Sequence, residues 1–354
     1  MSTAMIFKCP CCGGYLEFDP SLQKFKCLYC GQVLSEEDLR DQSEQREAAA
    51  DAAQEVQKQS GGQTESLRSY HCSMCGAEVV TDATTAATRC YYCHSPIVLH
   101  DRLDNEFRPD GVIPFQLSKE AALAEFRRYV SKKRFVDRAF FSDDQLEMFS
   151  GVYYPYWYCD VEGSGTFNGE GTRTSVRTTP RYIETTTHFF QVEREGNLFI
   201  RNIARKALEK VDGKLADGIH PFRVEDVKPY ASGYLSGFLA EMRDVPENAA
   251  KTDMLFEAHG YASELLKSDH AYDALKGGNT FEPEKVRMRY LLMPAWVLTW
   301  KGGKDGVPYY FMMNGQTGQV CGKLPIRKSK LLTWAAGVAA AVFGLLCAGG
   351  LLIW

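Results

Sequence analysis

Eight of the twelve cysteines occur in pairs whose spacing is typical of metal-binding knuckles. The two cysteines of each pair are separated by two residues, and two pairs together supply four thiolates. Four thiolates can enclose one ion tetrahedrally, with metal–sulfur distances of about 2.3 Å. The sequence therefore predicts two metal sites, one formed by Cys9, Cys12, Cys27 and Cys30 and the other by Cys72, Cys75, Cys90 and Cys93.

Zinc is the expected ion at both sites, because a closed sphere of four thiolates is its usual structural arrangement. Iron in a rubredoxin-like site uses the same donors and is the alternative. A sphere filled by thiolates leaves no position for water or substrate, so a structural role is predicted. Cys11 stands beside Cys12 and could compete as a ligand, but the repeat between the two sets aligns Cys12 with Cys75.

Two copies of one small ribbon must position these ligands, since every cysteine of the second set follows its counterpart in the first at the same offset. Gly13 and Gly31 come directly after knuckle cysteines, where a positive φ turns backbone N–H groups toward the sulfurs. His94 replaces the last of these glycines and is interpreted as a structural or surface residue, with ligation as the alternative. Each ribbon is too small to bury a core, so metal binding should supply its folding energy.

The remaining chain divides by composition. A net charge of −6 marks the stretch after the first ribbon, and Ser35 followed by three acids predicts a helix start there. The central region mixes helical and strand patterns without regular βαβ alternation, which favours an α+β fold. The predicted segments are zinc ribbon 1 at 1–34, an acidic helical or flexible spacer at 35–66, zinc ribbon 2 at 67–100, an α+β domain at 101–326 and a transmembrane tail anchor at 331–354.

Within the α+β domain, Ser118 should cap a helix, and a second helix is expected over 248–276. Gly277 and Gly278 are expected to end that helix, and the glycines at 163–165 are interpreted as a hairpin turn. Asn314-Gly315 predicts a further hairpin. Pro-Tyr-Trp at 155–157 and Pro-Ala-Trp at 294–296 each follow a helical stretch and open a strand region. Two related halves would explain that match, and so would chance.

The segment at 331–354 contains 24 residues and no charge. As a helix it would span about 36 Å, enough for a hydrocarbon core of about 30 Å. Trp334 and Trp354 are spaced to lie one at each interface. A basic flank formed by Lys323, Arg327, Lys328 and Lys330 precedes it, which places the bulk of the chain in the cytoplasm by the positive-inside rule. No signal peptide is visible at 1–10, which agrees with a reducing compartment.

Several function classes find no support. The first hundred residues carry a net charge of −5, so nucleic-acid binding by the ribbons is not expected. The sequence contains no G-x-x-x-x-G-K-[ST], no H-E-x-x-H and no G-x-S-x-G motif, and its histidines lack partners at ligand spacing. The prediction is therefore a protein that is not an enzyme. Unfamiliar chemistry in 101–326 stays open as an alternative, which a pocket with converging polar groups would favour.

Several motifs resemble those of a bacterial family of membrane-anchored zinc-ribbon proteins, labelled "transcription factor IIB-type zinc ribbon-containing". Besides the paired ribbons they are FRPD at 107–110, IPF at 113–115, GVYYPYW at 151–157, YLSGF at 234–238, LMPAW at 292–296 and MNGQTG at 313–318. The resemblance covers nearly the whole chain and implies zinc on the eight paired cysteines. Some relatives are labelled primosomal helicases, which conflicts with the missing nucleotide-binding motifs.

The family also resembles membrane-stress components that work beside stomatin/flotillin-like (SPFH) and phage-shock-protein-A-like proteins. Together with the tail, this favours a tail-anchored adaptor at the bacterial inner membrane. Its α+β domain is expected close to the membrane surface, and the acidic spacer should let the first ribbon reach away from that surface and contact protein partners. The alternative is a membrane-tethered nucleic-acid-binding regulator, because zinc ribbons often serve in nucleic-acid binding.

Overall fold

The computed structural model describes residues 6–39, 68–72, 74–90, 93–99, 107–142, 146–268, 271–300 and 309–353. It contains two four-cysteine clusters, a domain built on a mixed sheet, and an apolar C-terminal helix. The helices are α1 Lys119–Ser131, α2 Gly213–Gly218, α3 Glu247–Lys267 and α4 Lys328–Ile353. Short 3-10 helices lie at Arg138–Phe141, Val224–Asp226 and Ser232–Leu235.

The strands form three sheets. In ribbon 1 they are β1 Leu16–Asp19, β2 Lys24–Cys27 and β3 Val33–Leu34, and in ribbon 2 β4 Arg68–His71 and β5 Glu78–Thr81 form a two-stranded sheet. The ten-stranded sheet contains β6 Thr85–Arg89, β7 Pro96–Val98, β8 Gly111–Val112, β9 Ser150–Thr178, β10 Ile183–Lys206, β11 Lys228–Pro229, β12 Leu239–Glu241, β13 Ala274–Trp300, β14 Tyr309–Asn314 and β15 Val320–Gly322.

Three unusually long strands dominate the large sheet. The central strand, β9, pairs antiparallel with β13 on one side and with β10 on the other. Their outer parts, residues 162–199 and 274–286, form a three-stranded extension that we call the β-arm. Because β13 begins at Ala274, opposite Thr172, the arm ends in a two-stranded tip that turns at 179–182.

The large sheet contains the same β-α-β-β unit twice. The first is β8-α1-β9-β10 and the second β12-α3-β13-β14. The first strand of each unit pairs in parallel with the long strand of the other, β8 with β13 and β12 with β9. At the centre Pro155 lies opposite Leu292 and Pro294 opposite Tyr153, a register with two-fold symmetry. The short sequence match therefore falls on equivalent positions of the two units.

Aromatic side chains fill the core on one face of this sheet. The ring of Phe115 stacks on that of Phe238 at 4.2 Å, and Phe149 stacks on Trp296 at 5.5 Å. The Trp296 indole N–H donates to the backbone carbonyl of Leu117, which satisfies its polar atom in this apolar setting. On the opposite face a second core forms around Tyr156 and Ile219, among other side chains. The sheet is thus covered on both sides where the units meet.

Glycines caused the main errors in the predicted elements. The second helix ends at Lys267, and Gly277 and Gly278 lie inside β13. A Cβ on Gly277 would lie 2.4 Å from the carbonyl oxygen of Asn168, so the glycine permits close contact between β13 and β9. Likewise Gly163 lies within β9 rather than in a turn, and a Cβ added to it would lie 2.2 Å from the carbonyl oxygen of Glu282 on β13.

The predicted helix starts match the structure. The hydroxyl of Ser118 accepts a hydrogen bond from the backbone N–H of Ala121, and Phe126 and Val130 are buried in α1. Residues 36–39 are helical, and Ser35 and Asp38 exchange side-chain-to-backbone hydrogen bonds in a capping-box arrangement. The rest of the predicted spacer, residues 40–66, lies outside the described residues.

The C-terminal helix α4 has 26 residues, hence about 39 Å of length. None of its Lys328–Cys347 window is buried inside the protein, and the helix is long and apolar enough to cross a membrane. Its base lies beside the segment that follows α1, where the rings of Phe135 and Trp334 are 5.8 Å apart and Val136 bridges to Ile326. The predicted interfacial residue Trp354 lies outside the described residues.

Candidate metal centres

The structure brings the eight paired cysteines together in the two predicted groups. In each group the four Sγ atoms lie within 4.8 Å of one another. The Sγ atoms of Cys9 and Cys30 are 3.6 Å apart, and those of Cys12 and Cys27 are 3.5 Å apart. A tetrahedron with metal–sulfur distances of about 2.3 Å places its sulfurs about 3.8 Å apart, so the group fits a zinc ion.

The second group has the same geometry. Its Sγ atoms are 3.7 Å apart for Cys72 and Cys93, and also for Cys75 and Cys90. In both groups the first and third cysteines are buried and the second is exposed. No histidine or carboxylate joins either group among the described residues. The donor set is therefore four thiolates at each site, and the sphere they form is closed.

Tight backbone turns present the sulfurs. After each knuckle a backbone N–H donates to the carbonyl of the knuckle's first cysteine, at 2.8 to 3.0 Å. The donating residue has a positive φ in all four knuckles, 73° at Gly13, 77° at Gly31, 74° at Gly76 and 57° at His94. His94 is exposed and adopts the backbone conformation of the glycine that it replaces. Its role here is structural, at a position that favours glycine.

The thiols of one group differ strongly in acidity. Burial raises the pKa of Cys72, but hydrogen bonds from the Ser95 hydroxyl and from backbone N–H groups lower it to about 6. The N–H of Ala77 lowers the pKa of Cys75, yet burial and the neighbouring thiols raise it to about 12. Ionising the first thiol is thus favoured and ionising all four is opposed by mutual repulsion. A bound divalent cation would offset that repulsion.

Ribbon 1 is docked on the large sheet. The rings of Phe18 and Phe25 contact the buried ring of Tyr234, at centroid distances of 5.2 and 5.8 Å. The Ser236 hydroxyl donates to the backbone carbonyl of Leu16, and the backbone carbonyl of Ser236 accepts from the N–H of Phe18 at 3.1 Å. Ribbon 1 therefore belongs to the same packed body as the α+β domain, with which it shares an aromatic core.

Ribbon 2 is part of the large sheet. Strand β6 pairs with β12, with Ala87 opposite Ala240, and also with β7. The Lys210 ammonium bridges Asp82 of the ribbon and Glu241 of β12, at 3.3 and 2.9 Å. The two ribbons are also linked by an ion pair of 2.9 Å between Arg89 and Glu17. Both metal sites thus belong to one packed body.

Sequence reasoning missed the residues that hold ribbon 1. Tyr234 and Ser236 lie in and just after a 3-10 helix, far along the chain from β1, which they contact. Their motif was visible only as part of the family resemblance. The predicted basic flank is found where expected: Lys323, Arg327, Lys328 and Lys330 are all exposed around the start of α4. Cys11 is exposed and lies outside the first cysteine group.

One groove collects polar side chains away from the cysteines. It has a volume of about 780 Å³ and runs between β10 and α3. Arg205 pairs with Glu257 there at 2.6 Å, and burial lowers the pKa of His220. Because the aromatic rings of Tyr156 and Phe222 surround His220, that side chain belongs to the second core.

The comparisons with known proteins give a family and no activity. No protein-family model matches the chain, and no solved structure matches it. The chain is 30% identical over 349 residues to "Uncharacterized protein YdjG" of Bacillus subtilis (strain 168). That alignment covers 95% of each of the two chains. A likeness of this extent covers nearly the whole chain, and the protein therefore belongs to the same family as Bacillus subtilis YdjG.

Proposed function

We propose that the protein is a non-enzymatic, tail-anchored membrane adaptor built around two structural zinc ions. The observation that carries the proposal is helix α4, which is apolar on every side and buries none of its Lys328–Cys347 window against the protein. A soluble protein rarely leaves so large an apolar surface in water. Insertion in a bilayer gives this surface an apolar environment.

The charges around α4 support one orientation. Lys323, Arg327, Lys328 and Lys330 are exposed around the start of the helix, and no acid follows Asp305 in the sequence. By the positive-inside rule this flank stays in the cytoplasm, where anionic headgroups attract it. The ribbons and the large sheet are then cytoplasmic, at the inner membrane of a bacterium.

The position of the β-arm gives such an adaptor its reach. Strand β9 begins at Ser150, opposite Val297 on β13, and the ring of Trp300 on β13 contacts Phe140, in the segment whose Val136 bridges to Ile326 just before α4. From there β9 continues for 29 residues to Thr178. At about 3.3 Å per residue the tip of the arm lies up to about 90 Å along the strand from the membrane-proximal end. In the adaptor that we propose, the arm points away from the lipid surface and displays its tip to partners.

In this proposal the two zinc ions hold the surface that partners bind. Their closed thiolate spheres support a structural role. The family resemblance favours partners of the stomatin/flotillin-like (SPFH) or phage-shock-protein-A-like kind and a role in membrane stress. The docking of both ribbons on one body favours a rigid recognition surface over a mobile one.

The anchor is tested by deleting residues 328–354 and fractionating cells. The full chain should pellet with membranes and resist carbonate extraction, while the shortened chain should be soluble and keep both metals. A reporter enzyme that works only outside the cytoplasm should be active when it is fused after Trp354. Membrane pelleting of the shortened chain at the level of the full chain would refute the anchor.

A membrane-tethered nucleic-acid-binding regulator is the second candidate. It is favoured by three arginines at the tip of the β-arm, Arg173, Arg177 and Arg181, and by the exposed ring of Tyr182 next to them in the chain. Guanidinium groups bind phosphates and a tyrosine ring can stack on a base. Retention of the detergent-solubilised chain on single-stranded DNA or RNA, lost as salt rises, would support this candidate over the adaptor.

A further inference from the structure

The outer edge of β10 is an unprotected strand edge. Within the part of the chain that the structure describes, β10 pairs only with β9, so its other edge is open. Residues 185–192 read TTTHFFQV and contain no Asp, Glu, Lys or Arg, no proline and no glycine. Every residue from 183 to 191 is exposed. Neutral, β-branched and aromatic edges of this kind readily add another strand.

The other edges of the β-arm carry the protections that this segment of β10 lacks. Along β13, Pro283 cannot donate a ladder hydrogen bond, and the register shifts between Pro283 and Lys285. Lys276, Glu282 and Glu284 add charges to the same edge. The edge of β9 at the two-stranded tip carries two arginines. The contrast indicates that this segment of β10 lacks protective charges and prolines because another strand covers it in the assembled protein.

Apolar side chains accompany this edge on one face of the tip. By register, Thr185 lies opposite Val176 and Phe189 opposite Thr172, so these four share a face. Val176 is 63% exposed, Phe189 65% and Ile183 69%. A strand added to β10 would extend the sheet and allow its side chains to pack beside this apolar row.

We propose that the β10 edge pairs antiparallel with the β10 edge of a second copy of this chain. The charges that flank the neutral segment select that occupant and that direction. A two-fold axis at His188 brings Arg181, which lies in the turn just before β10, to the end of the paired segment where Glu195 of the other copy lies. In the same register Glu184 faces Val192, so no two like charges are opposed. Parallel pairing in register would instead place every charge beside its own counterpart.

This interface goes beyond the adaptor role and does not depend on it. It joins the arms of two chains, so the assembly would present two ribbon pairs on one continuous sheet. Anchoring in one membrane would raise the effective concentration of the arms and favour pairing. The pairing itself is set by the strand edge. It can be measured in detergent, where no shared membrane holds two chains together.

The test uses the full chain in detergent, with its mass measured by light scattering after gel filtration over a range of concentrations. Thr187 of β10 and Thr174 of β9 lie opposite each other in the hairpin, which provides a matched pair. Thr187→Lys introduces a charge on the proposed interface strand and should weaken dimerisation at least tenfold. Thr174→Lys adds the same charge to the neighbouring strand and should leave dimerisation within about twofold.

A charge exchange tests the direction. Arg181→Glu and Glu195→Arg should each weaken the homodimer, because both ends of the interface then carry like charges. Mixing these two variants should give a heterodimer at least tenfold tighter than either homodimer, since one charge pair is then the wild-type pair and the other is the same pair reversed.

Several outcomes would overturn the proposal. They are a wild-type chain that stays monomeric at all concentrations, equal effects of the two lysine variants, and a monomer that instead retains nucleic acid. None of these outcomes bears on whether deletion of 328–354 releases the chain from membranes, so failure of the interface and failure of the anchor are distinguishable.

Discussion

Tyr234 is the side chain through which ribbon 1 should depend on the large sheet. Its ring is 1% exposed and packs against the rings of Phe18 and Phe25, which also contact each other. Its hydroxyl donates to the carboxylate of Glu36 at 2.6 Å. Replacing Tyr234 therefore perturbs the docking of the ribbon while leaving all eight cysteines in place.

The magnitude follows from what each substitution removes. Tyr234→Ala removes a buried aromatic ring, and such changes cost about 3–5 kcal/mol. That loss corresponds to a rise of more than a hundredfold in the opening constant of the docked ribbon, because about 1.4 kcal/mol is tenfold. Tyr234→Phe keeps the ring contacts and removes one hydrogen bond to a charged, partly exposed group, worth about 1.5 kcal/mol. The phenylalanine variant should thus raise opening only about tenfold.

Hydrogen exchange followed by mass spectrometry measures this opening by segment. In Tyr234→Ala, exchange should accelerate in β1, β2 and β3, while the centre of β13 stays protected. The zinc content should stay at two ions per chain. Tyr310→Ala is the matched control, since Tyr310 is a 43% exposed tyrosine of the same sheet. Unchanged exchange in β1–β3 of Tyr234→Ala would refute the view that ribbon 1 is held by this contact.

Three further predictions concern the metals and the glycines. A zinc chelator should release two ions per chain. Hydrogen exchange should then rise in ribbon 1 and also in β6, β7 and β12, because β12 pairs with ribbon 2. Protection of β12 equal to that in the zinc-loaded protein would count against this coupling. Gly31 and His94 both have a positive φ, which favours glycine. Gly31→Ala should therefore destabilise ribbon 1 by about 1–2 kcal/mol, whereas His94→Gly should stabilise ribbon 2 by up to about 1 kcal/mol. Metal retention against a competing chelator measures both effects. Gly151→Ala should lower stability by about 1–3 kcal/mol in urea unfolding, because the new methyl carbon would lie 2.6 Å from the ring of Phe238.

The metal ligands could be predicted from the sequence because their chemistry is local. Two cysteines separated by two residues form a knuckle with little help from the rest of the fold, and the constant offset between the two sets assigned Cys12 rather than Cys11. The apolar tail could be predicted for the same reason, since its helix length and its absence of charge are properties of one continuous segment. Helix caps such as Ser118 also depend on near neighbours.

The long strands could not be predicted, because their glycines are explained only by the strand that lies beside them. Gly277 carries a helix-stop signal in the sequence, yet in the fold it allows the backbone of Asn168 to approach. The position of ribbon 1 is hidden for the same reason. Tyr234 carries no sign in the sequence that its partner is Phe18, and a short acidic spacer is compatible with both a docked and an extended ribbon.

The two-fold arrangement of the large sheet explains why the second ribbon is structural. Strands β8 and β12 occupy equivalent places in the two β-α-β-β units, and each is flanked on its outer side by one more strand. Beside β8 that strand is β11, a two-residue segment. Beside β12 it is β6 of ribbon 2, which sits between the two cysteine pairs of the second metal site. One edge of the sheet is thus completed by a short local strand and the other by a metal-held ribbon. In the adaptor that we propose, zinc in the second site therefore stabilises the edge of the main body and, with it, the surface that partners bind.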